Sequence, residues 1–237
     1  MIIQIHIKSK NQIESIIIII NVESKTSLDL LFIMDLTGSM EKYLNDVKAN
    51  LIDIIDKVID QTPGIDINLG FIGYSDIPEE GAGPYIDIDF TQNHSQLSNQ
   101  INDLTTYGGG DTPEDVAWAF EKALIKTWKS NAKFIVFVAD GPGHGLKYYS
   151  DDTKYPNGIE GRKDIEESIE ELVKDNVSLF CVKINDVTQK MFNIFQNVYN
   201  KYQSAKFEIV DYNQNIFSEE VVKSVVEIYL TYREKES

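Results

Sequence analysis

The chain has 237 residues, of which 42% are hydrophobic and 25% are charged. These proportions are typical of a soluble globular protein, and a chain of this length fits within a single domain. The formal net charge of −16 argues against nucleic acid and anionic lipid as partners, because both are negatively charged. Cations and basic surfaces would be attracted, but an excess of acid also serves solubility alone.

The cysteine content and the N-terminus indicate the compartment. The single cysteine, Cys181, lies in the apolar run 177–182, which predicts a buried strand residue of low reactivity. One cysteine excludes an intramolecular disulfide, which suits a reducing compartment. The apolar run 16–20 is too short for a secretory signal, and no stretch approaches the length of a membrane span. We therefore expect a cytoplasmic protein without a membrane span.

Residues 1–26 differ in pattern from the rest of the chain. Isoleucine alternates with polar residues up to position 7, and 16–22 is apolar and β-branched. This pattern predicts an N-terminal β extension of two strands, which form either a hairpin or an edge extension of a larger sheet. We place a domain boundary between residues 26 and 27.

Residues 27–237 are predicted to form one α/β domain, because short apolar strands alternate with helices of 10–20 residues. The expected architecture is a doubly wound, mostly parallel, Rossmann-like sheet with helices on both faces and one antiparallel edge strand. The strands are predicted at 28–34, 67–74, 85–90, 134–139, 177–184 and 207–210. The helices are predicted at 40–59, 94–104, 113–128, 163–174, 187–202 and 217–232.

Two aspartates directly follow the two most apolar strands. Asp35 ends the first and Asp140 ends the fourth. Open α/β sheets bind ligands at the carboxyl ends of their strands, and a carboxylate there needs a cation or several donors to remain charged. Thr37 and Ser39 follow Asp35 and add hydroxyl oxygens, which favour Mg²⁺ or Mn²⁺ over zinc. Alternatively, one of these hydroxyls only caps the following helix.

A second polar loop, 108–115, precedes the predicted third helix. Three glycines lead into Asp111, Thr112 and Pro113. In one interpretation, Asp111, Thr112 and Asp115 cap this helix, because Pro113 is suited to the first helical position and 112–115 fits a loose capping box. In the other interpretation, Thr112 contacts a metal ion.

These motifs resemble the metal-ion-dependent adhesion site of von Willebrand factor A domains. The resemblance rests on Asp-x-Thr-x-Ser at 35–39, Gly-Gly-x-Thr at 109–112 and Asp-Gly at 140–141, and it covers 27–232. Thr37 stands where the family more often has serine. The stretches 70–76, 140–145 and 155–158 also look like the A domains of slime-mould-type alpha-kinases. No kinase activity is expected, because the chain has no room for a kinase domain.

The resemblance implies a function in protein–protein interaction rather than catalysis. Thr37, Ser39 and Thr112 would bind the metal directly, and Asp35 and Asp140 directly or through water. Mg²⁺ is the expected cation, with Mn²⁺ and Ca²⁺ as alternatives that accept the same oxygen ligands. One coordination position would receive an Asp or Glu carboxylate from a protein partner.

Asp76, His144 and Tyr148 are further candidates for ligand contact. His144 lies in a loop after Asp140, and such a histidine more often hydrogen-bonds its own loop. Asp76 follows a strand but also suits a turn, and Tyr148 is either an interface anchor or packed onto the sheet.

Two other functions remain open. The first is a Mg²⁺-dependent phosphohydrolase, although haloacid-dehalogenase phosphatases place a second aspartate where this chain has Thr37. The second is a structural scaffold that binds no metal.

Overall fold

The computed structural model describes residues 2–9, 12–19, 27–77, 83–213 and 217–236, with side chains described in 27–77, 83–213 and 217–232. Two N-terminal strands, β1 (Ile2–Ser9) and β2 (Gln12–Ile19), pair antiparallel in a sheet of their own. The hairpin alternative is therefore confirmed, and the edge extension is wrong. The domain boundary after residue 26 stays a prediction.

A six-stranded sheet forms the centre of the remaining chain. Its strands are β3 (Ser27–Asp35), β4 (Asp66–Tyr74), β5 (Ile86–Thr91), β6 (Ala132–Ala139), β7 (Val177–Lys183) and β8 (Phe207–Asp211). Their order is β5-β4-β3-β6-β7-β8. Every neighbouring pair is parallel except β4 and β5, which confirms the mostly parallel sheet with one antiparallel edge strand.

In the part of the chain that the structure describes, six α-helices cover both faces of this sheet. They are α1 (Glu41–Gln61), α2 (His94–Asn102), α3 (Val116–Ile125), α4 (Ile165–Lys174), α5 (Gln189–Tyr202) and α6 (Phe217–Glu236). The central strand β3 sends alternate side chains into two cores. Phe32 packs with residues of α1, α2 and α6, whereas Ile33 packs with residues of α3, α4 and α5. Full burial of each such side chain contributes about 1.5–3 kcal/mol, which explains why both faces carry helices.

The order in which the chain adds strands reverses between β3 and β6, and this switch point positions the site. The chain leaves β3 towards β4 on one side and leaves β6 towards β7 on the other. Ligands bind at such a switch point, at the carboxyl ends of the strands. Because Met34 pairs with Val138, the residues that follow, Asp35 and Asp140, emerge at the same edge.

The start of α3 differs from the prediction. The helix begins at Val116 rather than at Pro113, and the side chain of Asp115 caps it by accepting a hydrogen bond from Trp118 N. Glu114 cannot join the helix, because it forms an isolated bridge with Gly143 and its amide donates to Pro142 O. The capping interpretation is therefore confirmed for Asp115 and wrong for Thr112.

Cys181 is fully buried in β7, as its apolar neighbours predict. Burial raises the pKa of its thiol well above the ordinary value. Among the described helices, none combines the length and the apolar character needed to cross a bilayer.

Candidate metal centre

A chain of hydrogen bonds joins the ends of β3 and β6. The amide and the hydroxyl of Thr37 both donate to Asp35 Oδ1, at 2.9 Å and 2.6 Å. The hydroxyl oxygens of Thr37 and Ser39 lie 3.1 Å apart, and Ser39 donates to Asp140 Oδ1 at 2.9 Å. The structure therefore brings four of the five predicted metal ligands together through their side chains.

Neither hydroxyl of this loop caps a helix. Thr37 precedes a short 3₁₀ turn, Gly38–Met40, and makes no side-chain capping bond. The next helix, α1, follows Met40. The alternative that Thr37 or Ser39 serves as a helix cap is therefore wrong, and both hydroxyls point instead to the two carboxylates.

One oxygen of Asp35 is buried without a donor. Asp35 is fully buried, and its Oδ2 has no hydrogen-bond partner. Asp29, in the same strand, is equally buried, but its two oxygens accept four bonds: from Asn68, from the amides of Lys129 and Ser130, and from the Ser130 hydroxyl. A buried oxygen without a partner costs about 1–3 kcal/mol. A cation would remove that cost, so the residues fit a metal ion.

The charges of the site lead to the same conclusion. Burial, followed by the charge of Asp140, raises the pKa of Asp35 from 3.8 to about 7. Burial also raises the pKa of Asp140. Two close carboxylates that lack a counter-charge disfavour full ionisation, and a divalent cation reverses this preference.

The backbone of Thr112 lies close to Gly141, the residue that follows Asp140. A Cβ built on Gly141 would lie 2.9 Å from the Thr112 carbonyl oxygen and 3.7 Å from Asp35 Oδ2. A side chain at Gly141 would therefore clash with the Thr112 carbonyl oxygen. Thr112 itself is exposed, and the contact of its hydroxyl with a cation stays a prediction.

Glu114 is an acidic residue of this region that the sequence did not single out. It is only 3% exposed, and its Oε2 has no hydrogen-bond partner. Burial is the main cause that raises its pKa to about 11, and the charges of four aspartates add to it: Asp35, Asp76, Asp140 and Asp111. From sequence, a glutamate that follows a proline suggests an exposed residue in a first helical turn. The burial of Glu114 becomes evident only in the structure, where its Cγ would lie 2.9 Å from a Cβ built on Gly141.

The three tentative ligand-binding residues are all buried. His144 lies between two carboxylates, with Nε2 3.1 Å from Asp76 Oδ1 and Nδ1 3.0 Å from Asp152 Oδ2. Tyr148 donates to Asp164 Oδ1 at 3.0 Å. His144 therefore does hold its own loop in place, and ligand contact by Asp76, His144 or Tyr148 stays a prediction.

The pattern of the site and of the strands around it matches a known family. Residues 29–149, about half of the chain, match the family model described as the von Willebrand factor A domain. The chain belongs to this family. The matched range includes Asp35, Thr112 and Asp140, so the whole hydrogen-bonded centre lies in the part of this von Willebrand factor A domain that the family model covers.

A relative of this von Willebrand factor A domain is the alpha-protein kinase vwkA of Dictyostelium discoideum. The two are 24% identical over 215 residues, which is 90% of this chain and 34% of the kinase. The chain therefore spans about a third of the length of that relative.

Solved structures share the fold. The pilus adhesin SpaC from Lactobacillus rhamnosus GG, in an open conformation, aligns with a TM-score of 0.63 and 13% identity, over 88% of this chain and 31% of SpaC. The conserved hypothetical protein BatB from Bacteroides thetaiotaomicron aligns with a TM-score of 0.55 and 11% identity, over 85% of this chain and 98% of BatB. At such low identity, these similarities describe the architecture alone.

Proposed function

We propose that this chain is a metal-dependent protein-interaction module. A divalent cation, with Mg²⁺ as the first candidate, is held by Asp35, Thr37, Ser39, Thr112 and Asp140. The cation binds an Asp or Glu carboxylate of a protein partner. The observation that carries this proposal is the unpaired, buried Oδ2 of Asp35 beside two hydroxyls and a second carboxylate.

The exposure of the proposed ligands agrees with this function. Asp35 and Thr37 are buried, whereas Ser39 and Thr112 are exposed. The partner therefore approaches from the side of Ser39 and Thr112. Neutral hydroxyl ligands leave the cation enough positive charge to attract an outside carboxylate.

The comparisons support an interaction role without defining a partner. One structural neighbour is named a pilus adhesin, and we carry adhesion-type binding to this chain as part of the proposal. Kinase activity is not carried over from vwkA, because this chain spans only 34% of that protein. We keep the cytoplasm as the expected compartment.

Two measurements test the proposal. Calorimetry with Mg²⁺, Mn²⁺ and Ca²⁺ measures binding to the chelator-treated chain, and affinity capture measures partners with Mg²⁺ or with EDTA. Wild type is compared with Asp35→Ala and with Asp56→Ala, which changes an exposed acid of α1. We expect metal binding and a Mg²⁺-dependent partner that only Asp35→Ala abolishes. Identical partners in every condition would contradict the proposal.

The two other functions give different results in the same experiments. A scaffold without metal shows no binding at millimolar Mg²⁺ or Mn²⁺. A phosphohydrolase hydrolyses a generic aryl phosphate with Mg²⁺, and Asp35→Ala removes that activity. The position of Thr37, whose hydroxyl donates to Asp35, places an alcohol where such an enzyme would need a second carboxylate.

A further inference from the structure

A second group of potential metal ligands lies beside the first centre. Asp76, Asp111 and His144 each offer one ligand atom, and these atoms all lie within 4.8 Å of one another. The three residues come from the loops that follow β4, precede α3 and follow β6. None of them belongs to the set proposed above.

We propose that Asp76, Asp111 and His144 form a second divalent-cation site beside the buried carboxylate of Glu114. An imidazole nitrogen together with carboxylate oxygens suits Mn²⁺ or Zn²⁺ better than Mg²⁺, which prefers oxygen and water. The two centres therefore differ in ligand chemistry, and the second site does not depend on the first being filled.

Glu114 provides independent support for a ligand at this place. Its Oε2 is buried without a hydrogen-bond partner. Its Oε1 would lie 3.2 Å from a Cβ on Gly109, and Asp76 Oδ2 would lie 3.6 Å from a Cβ on the adjacent Gly110. Both carboxylates thus lie beside the same short stretch of loop. A cation beside Glu114 would favour the charged form of this carboxylate, whose Oε2 has no hydrogen-bond partner.

The hydrogen bonds of His144 are those of an oriented metal ligand. Its Nδ1 bonds to Asp152 Oδ2 at 3.0 Å, which directs Nε2 towards Asp76. Asp152 is itself held by the amides of Gly145 and Tyr155, at 2.7 Å and 2.9 Å. A carboxylate that orients a histidine from the far nitrogen is a common support of metal-bound imidazole. Binding at Nε2 releases one proton to solvent when the ring is doubly protonated beforehand.

The exposure of the group provides a route for the ion. Asp76 and His144 are buried, with 1% and 4% exposure, whereas Asp111 is exposed. Asp111 therefore stands at the entrance, and its replacement removes a ligand without disturbing the buried pair.

Mn²⁺ is the probe that separates the two sites. The full chain is stripped with chelator, and Mn²⁺ is titrated by calorimetry and followed by pulsed electron paramagnetic resonance. The first centre offers only oxygen ligands, so a ¹⁴N coupling reports His144. We expect two Mn²⁺ per chain and a ¹⁴N coupling in wild type. Asp111→Asn is expected to lose one ion and the coupling, and Asp35→Ala to lose the other ion alone.

Matched variants complete the experiment. Asp151→Asn changes a neighbouring exposed acid, and His6→Gln changes a histidine of β1; both are expected to keep two ions and the coupling. Asp152→Asn is expected to weaken the second ion by about 10–100-fold. Any of three results would overturn the inference. The chain could bind a single ion that Asp111→Asn leaves unchanged, it could bind a single ion that both Asp35→Ala and Asp111→Asn abolish, or the ¹⁴N coupling could be absent. An Asp111-dependent ion with no Asp35-dependent one would contradict the first centre alone.

Discussion

Ser39 and Asp140 are separated by 101 residues, yet the hydroxyl of Ser39 donates to Asp140 Oδ1 at 2.9 Å. The contact is possible because β3 and β6 are neighbouring parallel strands that end at the same edge. The pairing of these two strands thus brings the two halves of the proposed metal centre to the same edge of the sheet.

In metal-free protein, Asp35→Asn is expected to stabilise the fold at neutral and alkaline pH. Burial and Asp140 raise the pKa of Asp35 from 3.8 to about 7, so the folded state disfavours the charged form. This unfavourable contribution is absent below pH 3.8 and complete above about pH 7. Wild type therefore loses stability as pH rises through that window. One pKa unit corresponds to about 1.4 kcal/mol, and we expect the variant to gain on the order of 2–4 kcal/mol.

Thermal unfolding in EDTA measures this effect. The difference in Tm between Asp35→Asn and wild type should widen between acidic and alkaline buffer. Adding Mg²⁺ should reverse the order, because only wild type keeps the charged ligand. A Tm difference that does not depend on pH would contradict the role of the Asp35 carboxylate.

Ser39→Ala is expected to abolish stabilisation by Mg²⁺. Ligand at 100 times its Kd adds about 2.7 kcal/mol to the free energy of unfolding, which raises Tm by roughly 5–10 °C for a chain of this size. Ser39 is exposed, so its loss should not disturb the core. Differential scanning calorimetry with and without Mg²⁺ provides the measurement. Ser95→Ala, which changes an exposed residue of α2, should respond to Mg²⁺ like wild type; loss of the response there would point to a general effect.

His144 is expected to titrate above its ordinary pKa in metal-free protein. Burial lowers the pKa of His144, but the hydrogen bonds to Asp76 and Asp152 outweigh burial, and the net shift is upwards from 6.5. Its stabilising contribution is therefore fully present below pH 6.5 and is lost as pH rises through the folded-state pKa. Nuclear magnetic resonance titration of the ring in EDTA measures the shift. The destabilisation by His144→Asn should be largest in acid, and a larger loss in alkali would contradict this sign.

Arg162→Met is expected to destabilise the fold by about 3 kcal/mol, because it leaves a buried charge without its partner. Asp115 is fully buried, and Arg162 donates to its Oδ2 from Nη2 at 2.8 Å and from Nε at 3.0 Å. Lys163→Met removes an ion pair with the exposed Glu171 and should cost less than about 1 kcal/mol. Urea denaturation compares the two variants. Equal losses would show that the Asp115 pair is no stronger than a surface pair.

The fold could be predicted from sequence because its signals are local. Apolar strands such as β6 and amphipathic helices such as α5 each carry their own periodicity, and the alternation of the two types implies the parallel sheet. The start of α3 could not be predicted in this way. Pro113 suits a first helical position, but the amide of Glu114 bonds to Pro142 O, which lies on a different loop.

The candidate site also contains residues that local sequence patterns reveal and residues that they do not. Asp35 and Asp140 could be found because each directly follows an apolar strand, and Thr37 and Ser39 because they follow in the same loop. Glu114 and Asp152 could not be found. Glu114 is buried against Gly141, which lies on a loop distant in sequence. Asp152 is held within its own loop by the amides of Gly145 and Tyr155, and neither arrangement leaves a periodic pattern.

The inert thiol in β7 has a practical consequence for following this protein in motion. Cys181 is fully buried, and its pKa is raised, so it should resist maleimide reagents while the fold is intact. A cysteine introduced at Leu146, which is 46% exposed in the loop after Asp140, would then carry a fluorophore or spin label selectively. The natural sequence is thus already a suitable background for spectroscopic labelling.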